Sequence, residues 1–249
     1  MTAQVRIVGS YLSPYVRKVL ACLHLKQIPY EIDPIVPFFG NDEFSRISPL
    51  RRIPVLVDDQ VTLCDSTVIC EYLDERHPQP PLFPSTPALR ARARWLEEFA
   101  DSRIGDVFIW RLFNQVAIRP AVWGEKADRE ALKATLEVEV PAVLDYLERK
   151  LPAAGFLFES VSIADLSIAT FFRNAAFSRM TVDAARWPKT AAYVQRVLDL
   201  DAFARLRPFE DKMMSTPIAG HRAALQAMGA PLTAGTLATP MPRRGPMPT

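Results

Sequence analysis

The sequence predicts a small α/β domain followed by an all-helical domain, and three observations carry that reading. Over the first eighty or so residues, short β-branched runs alternate with amphipathic helical runs. A proline-dense stretch, Pro78-Gln79-Pro80-Pro81-Leu82-Phe83-Pro84, then interrupts the chain as a linker would. Beyond it the pattern is helical almost throughout, rich in Ala, Arg, Leu and Glu.

Val5–Val8 is the first expected strand. Pro14 stands at a helix N1 position, where its missing N–H is not needed, and opens a helix with Val16, Val19, Leu20 and Leu23 on one face. Pro29-Tyr30-Glu31-Ile32 begins a second strand. Residues 34–49 read as irregular, with one short helix around Asp42–Ile47. Residues 54–57 and 61–64 are two strands joined by the turn Asp58-Asp59-Gln60. Asp65 or Ser66 caps a helix with Val68, Ile69, Tyr72 and Leu73 inward, and Pro78 stops it. The order β-α-β-α-β-β-α is a thioredoxin-like layout.

After the linker, residues 87–118 form one long helix or two abutting ones. Residues 126–151 form another, which Pro141 is expected to kink or break. Residues 162–172 are apolar on nearly all sides and predict a buried helix. Pro188–Leu198 and residues 202–209 complete the α-helical bundle domain. The expected division is residues 1–78 for the thioredoxin-like domain, 79–87 for the linker, 88–211 for the bundle and 212–249 for a C-terminal extension.

A chain of 249 residues with 49% hydrophobic content can bury a proper core. The net charge of +2 gives no reason to expect a nucleic-acid partner. No apolar run reaches the roughly eighteen residues a membrane span requires. The N-terminus enters a strand without a signal-like apolar region, and Cys22, Cys64 and Cys70 form no CxxC pair. The expectation is a cytoplasmic protein with reduced thiols and no metal centre. Charge is uneven, however. From Lys212 onward there is no acidic residue, while Lys212, Arg222, Arg243 and Arg244 add four positive charges. Pro217, Pro231, Pro240, Pro242, Pro246 and Pro248 make that extension unfit for a central strand. Disorder or an extended wrap over the body is expected, with a short helix at 219–228.

The segment Arg52-Ile53-Pro54-Val55-Leu56 carries the functional signal. A proline at the mouth of a strand cannot donate to the ladder, and a cis bond is available to it. Neighbouring backbone groups are left to pair with something outside the protein. Asp65-Ser66, opening the next helix, adds oriented N–H donors for an anion. Together they describe a socket for a small peptide with a carboxylate end.

Four motifs in register give the chain a family resemblance. They are Ser13-Pro14, the segment Ser48-Pro49-Leu50-Arg51-Arg52-Ile53-Pro54-Val55-Leu56, the pair Asp65-Ser66 with Glu71-Tyr72-Leu73-Asp74 after it, and Ser162-Ile163-Ala164-Asp165. The last resembles an N-capping box. Over residues 5–210 the chain resembles a cytosolic glutathione transferase, of the serine-type classes with theta- or omega-like bacterial relatives. The resemblance implies glutathione as co-substrate, a homodimer, and a small hydrophobic electrophile as second substrate. The implied reaction is conjugation, or glutathione-dependent peroxide reduction or isomerisation.

Residue by residue, the resemblance makes Ser13 the thiol activator, with Arg17 keeping the serine-type spacing. A hydroxyl at a helix N-terminus can donate to sulfur and favour the thiolate, although Ser before Pro is also an ordinary helix start. Tyr11 is the main rival and Ser10 a weaker one. Ile53 and Pro54 would clamp the cysteinyl backbone, Asp65 and Ser66 would hold the γ-glutamyl end, and Arg52 would reach the glycyl carboxylate. Phe39 falls where some relatives carry a polar contact for that carboxylate, which leaves its grip open. Phe38, Phe108, Trp110, Phe113 and Phe172 are candidates for the electrophile pocket, or simply core. Ser13-Pro14-Tyr15-Val16 has a glutaredoxin-like shape with both cysteines absent, so disulfide exchange through a protein thiol is not expected. The alternative function is a non-catalytic glutathione-transferase-like binding or interaction module, with the basic extension as its distinctive surface.

Overall fold

The computed structural model describes residues 5–245. Contacts divide the described residues into two compact units: those up to Pro80 together with those from Arg205 onward, and Pro81–Ala204. No helix among the described residues is long and apolar enough to cross a membrane.

The first unit is built on a four-stranded sheet of order β2-β1-β3-β4, formed by β1 (Val5–Val8), β2 (Tyr30–Asp33), β3 (Val55–Val57) and β4 (Thr62–Cys64). β1 runs parallel to β2 and antiparallel to β3, and β3 is antiparallel to β4. The crossover α1 (Pro14–Leu25) is buried along most of its length, including Val16, Val19, Leu20 and Leu23. A single 3₁₀ turn (Pro37–Phe39) and α2 (Asp42–Ile47) occupy the irregular stretch before β3. α3 (Ser66–Arg76) follows β4 directly. Pro54 lies just outside β3, as a residue with no ladder donor must.

Helices past Ala204 depart from the expected division. The predicted helix at 202–209 is two helices, α9 (Asp201–Ala204) and α10 (Arg207–Met214), and α10 belongs to the first unit. Three contacts hold it there. Arg17 Nε meets Glu210 Oε1 at 2.7 Å with both side chains 1% exposed, Tyr11 stacks on Phe209 at 5.1 Å, and Ser10 Oγ approaches Met213 Sδ at 4.0 Å. A short helix, α11 (His221–Ala227), comes next. The extension then runs as an extended wrap over the edge strand β2. Its Leu232 forms a parallel bridge to Ile32, and its Ala238 an antiparallel one to Gly40. Pro246 and Pro248 lie outside the described residues.

In the second unit, α4 (Pro87–Phe99) continues as a wider, π-wound helix through Ala100–Ile104 and Asp106–Trp123, past the expected end at 118. Gly124 ends it in a left-handed conformation, φ 67°. α5 (Arg129–Ala134) also widens to π winding over Thr135–Glu139 before α6 (Val140–Lys150). Pro141 therefore does not break the run. It sits in the first turn of α6, and the wider winding before it accommodates a ring that cannot donate. α7 (Ile163–Phe177) is the central helix, with twelve of its fifteen residues buried. It extends beyond the predicted 172 and packs on α4, on the 106–123 helix and on α8 (Pro188–Leu198).

Candidate functional site at the sheet's edge

Sheet register brings the sequence-predicted motifs together. Val8 pairs with Val55, and Val55 pairs with Cys64. Gly9–Ser13 continues from Val8, Ile53-Pro54 enters Val55, and Asp65-Ser66 leaves Cys64. Three segments thus emerge side by side at one end of the sheet, on strands about 4.8 Å apart. Gly9 makes the close approach feasible, since a Cβ there would meet Val16 Cγ2 at 2.5 Å and Ile53 Cβ at 3.4 Å.

Ser13 is the N-cap of α1, with extended backbone (φ −78°, ψ 126°) and its Oγ accepting from Val16 N–H at 3.4 Å. That bond is long, and the hydroxyl hydrogen remains for another acceptor. The two rivals are turned inward. Tyr11 is fully buried with its hydroxyl facing Tyr30 and no hydrogen bond within ordinary geometry. Burial pushes its phenol well above the usual value, and Tyr30 is pushed up to about 12 by burial too. Ser10 is buried, with its Oγ accepting from Leu12 N–H at 3.2 Å and directed at Met213 Sδ.

The Ile53–Pro54 peptide is cis. Ile53 takes part in no hydrogen bond among the described residues, so its N–H and C=O are open to a peptide strand. Arg52 is locked by its backbone: its N–H donates to Ser48 Oγ at 2.9 Å, and Ser48 Oγ–H donates to its carbonyl at 2.8 Å. The Arg52 guanidinium is exposed and makes no ion pair or hydrogen bond among the described residues.

Asp65 caps α3. Its Oδ1 accepts from Thr67 N–H at 2.9 Å and Val68 N–H at 3.3 Å, leaving Oδ2 unused among the described residues. Its backbone sits at φ 79°, ψ 128°, a conformation that costs a non-glycine residue about 1–3 kcal/mol. Ser66 is the first residue of α3, buried, with a hydroxyl that has no partner among the described residues. Cys64, next to this pair, donates its thiol to Ile47 O at 2.9 Å, and burial raises its pKa. It is a protonated packing residue.

Residues 7–81 match the family model for the glutathione S-transferase N-terminal domain. The uncharacterized GST-like protein YibF of Escherichia coli is 29% identical over 82% of this chain and 98% of its own length. The first domain thus carries the glutathione S-transferase N-terminal pattern, and most of the chain is similar to a GST-like protein. Rat maleylacetoacetate isomerase is 29% identical over 77% of this chain and 86% of its own. Human glutathione S-transferase T1-1, in its apo form, superposes with a TM-score of 0.75 at 25% identity, covering 90% of this chain and 97% of that one.

The aromatic candidates of this transferase relative mostly serve packing. Phe108 and Phe172 meet edge to face at 5.1 Å, and Phe113 contacts Phe177 at 6.5 Å, all three buried within the second unit. Phe38 is buried in the first unit. Trp110 borders a groove of about 360 Å³ shared with Arg111, Gln115, Thr135 and Val138. Two residues escaped the sequence reading. Arg51, at φ 51°, donates to Gly40 O at 2.9 Å and to Pro37 O at 3.3 Å, knitting the loop before Ile53. Asp33 is a buried carboxylate at the end of β2. Nothing local marked either: an Arg beside an Arg reads as solvent-facing charge, and Asp before Pro reads as a turn.

Proposed function

We propose that the protein binds glutathione across the three segments at the sheet's end and activates its thiol for attack on a small apolar electrophile. The observation that carries this reading is the register Val8–Val55–Cys64, which sets Ser13, Ile53 and Asp65-Ser66 side by side. In this reading the cysteinyl backbone pairs with Ile53 as an added strand. The γ-glutamyl carboxylate sits at the α3 N-terminus on the Ser66 hydroxyl and nearby N–H groups, and its ammonium meets Asp65 Oδ2. Arg52 faces the glycyl carboxylate.

The sulfur then lies at the N-terminus of α1. A free thiol titrates near pH 8.5, so few molecules are nucleophilic at neutral pH. Ser13 donates its free O–H to sulfur, and the helix dipole favours the anion. A shift of about two units corresponds to roughly 2.7 kcal/mol of preference for the thiolate. In conjugation the sulfur bonds to the electrophilic carbon, whose leaving group departs with the electron pair. In isomerisation it adds to an unsaturated carbon and is expelled again after rotation. The rat relative's name favours including the second reaction. A homodimer, a cytoplasmic location and a metal-free mechanism complete the proposal.

Glutathione calorimetry tests it directly. Wild type should bind at submillimolar to millimolar concentration, and Ser66→Ala and Asp65→Ala should each lose at least tenfold. Thiolate absorbance of the bound tripeptide should titrate higher in Ser13→Ala and unchanged in Tyr11→Phe. Absence of binding at millimolar glutathione would sink the reading.

A further inference from the structure

The stretch between β2 and Ile53 contains only one 3₁₀ turn and one short helix. α2 has six residues, too few to be stable alone, and is held locally by the Asn41 cap on Phe44 N–H (2.9 Å), the burial of Phe44, the Cys64 thiol on Ile47 O and the Arg51 bonds already described. The C-terminal extension adds a further set of backbone bonds. Ile32 N–H donates to Pro231 O at 2.7 Å, and Thr233 N–H donates to Ile32 O at 3.1 Å. Asn41 N–H donates to Leu237 O at 2.8 Å. Thr239 N–H donates to Phe39 O at 2.6 Å, and Arg243 N–H to Phe38 O at 2.7 Å. The Arg243 guanidinium pairs with Asp42.

The buried Asp33 carboxylate anchors this run. It accepts from Leu237 N–H at 2.6 Å and Thr236 Oγ1 at 2.8 Å, and pairs with Arg222 at 3.2 Å. Asp33 also touches the catalytic side of the unit, since its carbonyl accepts from Gly9 N–H at 2.9 Å. The Leu237 side chain packs against the cluster of Val8, Ile35, Phe44 and Val55 that Ile53 also packs against.

We propose that residues 231–243 are a positioning strap for the glutathione site, pairing with Phe38, Phe39 and Asn41 to hold the segment that ends in Arg52 and Ile53. The proposal rests on the glutathione reading above and adds to it a reason for the extension. A segment held in its binding geometry meets the cysteinyl and glycyl parts of the tripeptide without an ordering cost. Without the strap the competent conformation is a fraction of the population, and apparent affinity falls by that fraction. Ser13 depends on α1 and not on the strap, so thiol activation should be spared.

The test uses the full chain. Thr239→Pro with Arg243→Pro removes two strap N–H donors and the Asp42 pair without touching the core. If the competent fraction drops to about one-fifth, the glutathione Kd rises about fivefold. The pKa of the bound thiol should not change. Amide exchange should quicken at residues 38–47 but not in Val55–Val57. Thr239→Ser with Arg243→Lys keeps the donors and the charge, and should keep wild-type affinity. An unchanged Kd in the proline variant overturns the proposal. So does a loss of protection spread over the whole first unit, which would mark a merely structural role. A wild type that does not bind glutathione overturns the functional reading itself, and this inference with it, before any variant is compared.

Discussion

Replacing Asp165 by Ala should be among the most damaging single changes in the second unit. Its carboxylate is fully buried and accepts from four donors: Leu157 N–H at 2.9 Å, Ser162 N–H at 2.8 Å, Ser162 Oγ at 2.6 Å and the Tyr193 hydroxyl. Burial and the neighbouring carboxylate push the Tyr193 phenol up, so it stays a donor. Truncation strands two backbone N–H groups that cannot turn to new partners, each worth about 1.5 kcal/mol, and the phenol at about 1 kcal/mol. The sum is a loss of about 4 kcal/mol. At about 3 °C per kcal/mol for a chain of this size, the thermal midpoint should fall by about 12 °C. Circular dichroism melts together with guanidinium titration read both quantities. Asp165→Asn keeps the shape but turns an NH₂ toward a donor, and should lie between wild type and Ala. Tyr193→Phe removes one bond to a charge and should cost about 1.5 kcal/mol. A loss under about 1 kcal/mol in Asp165→Ala would refute the view that this buried box holds α7 to its neighbours.

Three further outcomes are expected. Glu210→Gln neutralises the buried carboxylate that Arg17 Nε meets at 2.7 Å and should cost about 3 kcal/mol in urea unfolding; a neutral result would remove that pair from the account of why α10 joins the first unit. Asp65→Gly relieves a positive φ while losing a cap, two effects of similar size, so stability should stay within about 1 kcal/mol of wild type. Glutathione binding should nevertheless be lost, which calorimetry on the folded variant decides. Burial holds the His221 imidazole below its usual pKa, with Nε2 at 2.9 Å from Thr216 O. The unfolded chain therefore takes up the proton first, near pH 6.5, and stability should fall as pH drops from there toward the folded value. His221→Gln should flatten that slope in melts run between pH 7 and 5; an unchanged slope would place the titration elsewhere.

Several site features were legible because their causes are local. A Ser before a helix-opening Pro, a Pro at the mouth of a strand, and an Asp-Ser pair ahead of an apolar helical face each act within a turn or two. The capping box at Ser162 and Asp165 is of the same kind. Other features were hidden because they depend on partners far along the chain. Tyr11 reads as a second hydroxyl near the thiol, yet its ring is fully buried against Phe209. Phe108 and Phe172 are sixty-odd positions apart, and only packing reveals that each fills the other's space. The 202–209 run has helical periodicity throughout, so nothing in it marked the passage from one unit to the other.

The sequence by itself determined the two-part architecture, the order of strands and helices, and the three motifs that face glutathione in the proposed function. Hydrophobic period, proline geometry and helix caps are written in neighbouring residues, and short-range sterics and hydrogen bonding enforce them. Tertiary structure alone decided which hydroxyl stays available at α1, which aromatics are core, and where the C-terminal extension goes. The last turns on Asp33, a carboxylate whose partners Thr236 and Leu237 lie some two hundred positions away. A buried charge must find donors, and a sheet edge must find a partner, but neither requirement names the distant residues that meet it. Only the folded chain does that.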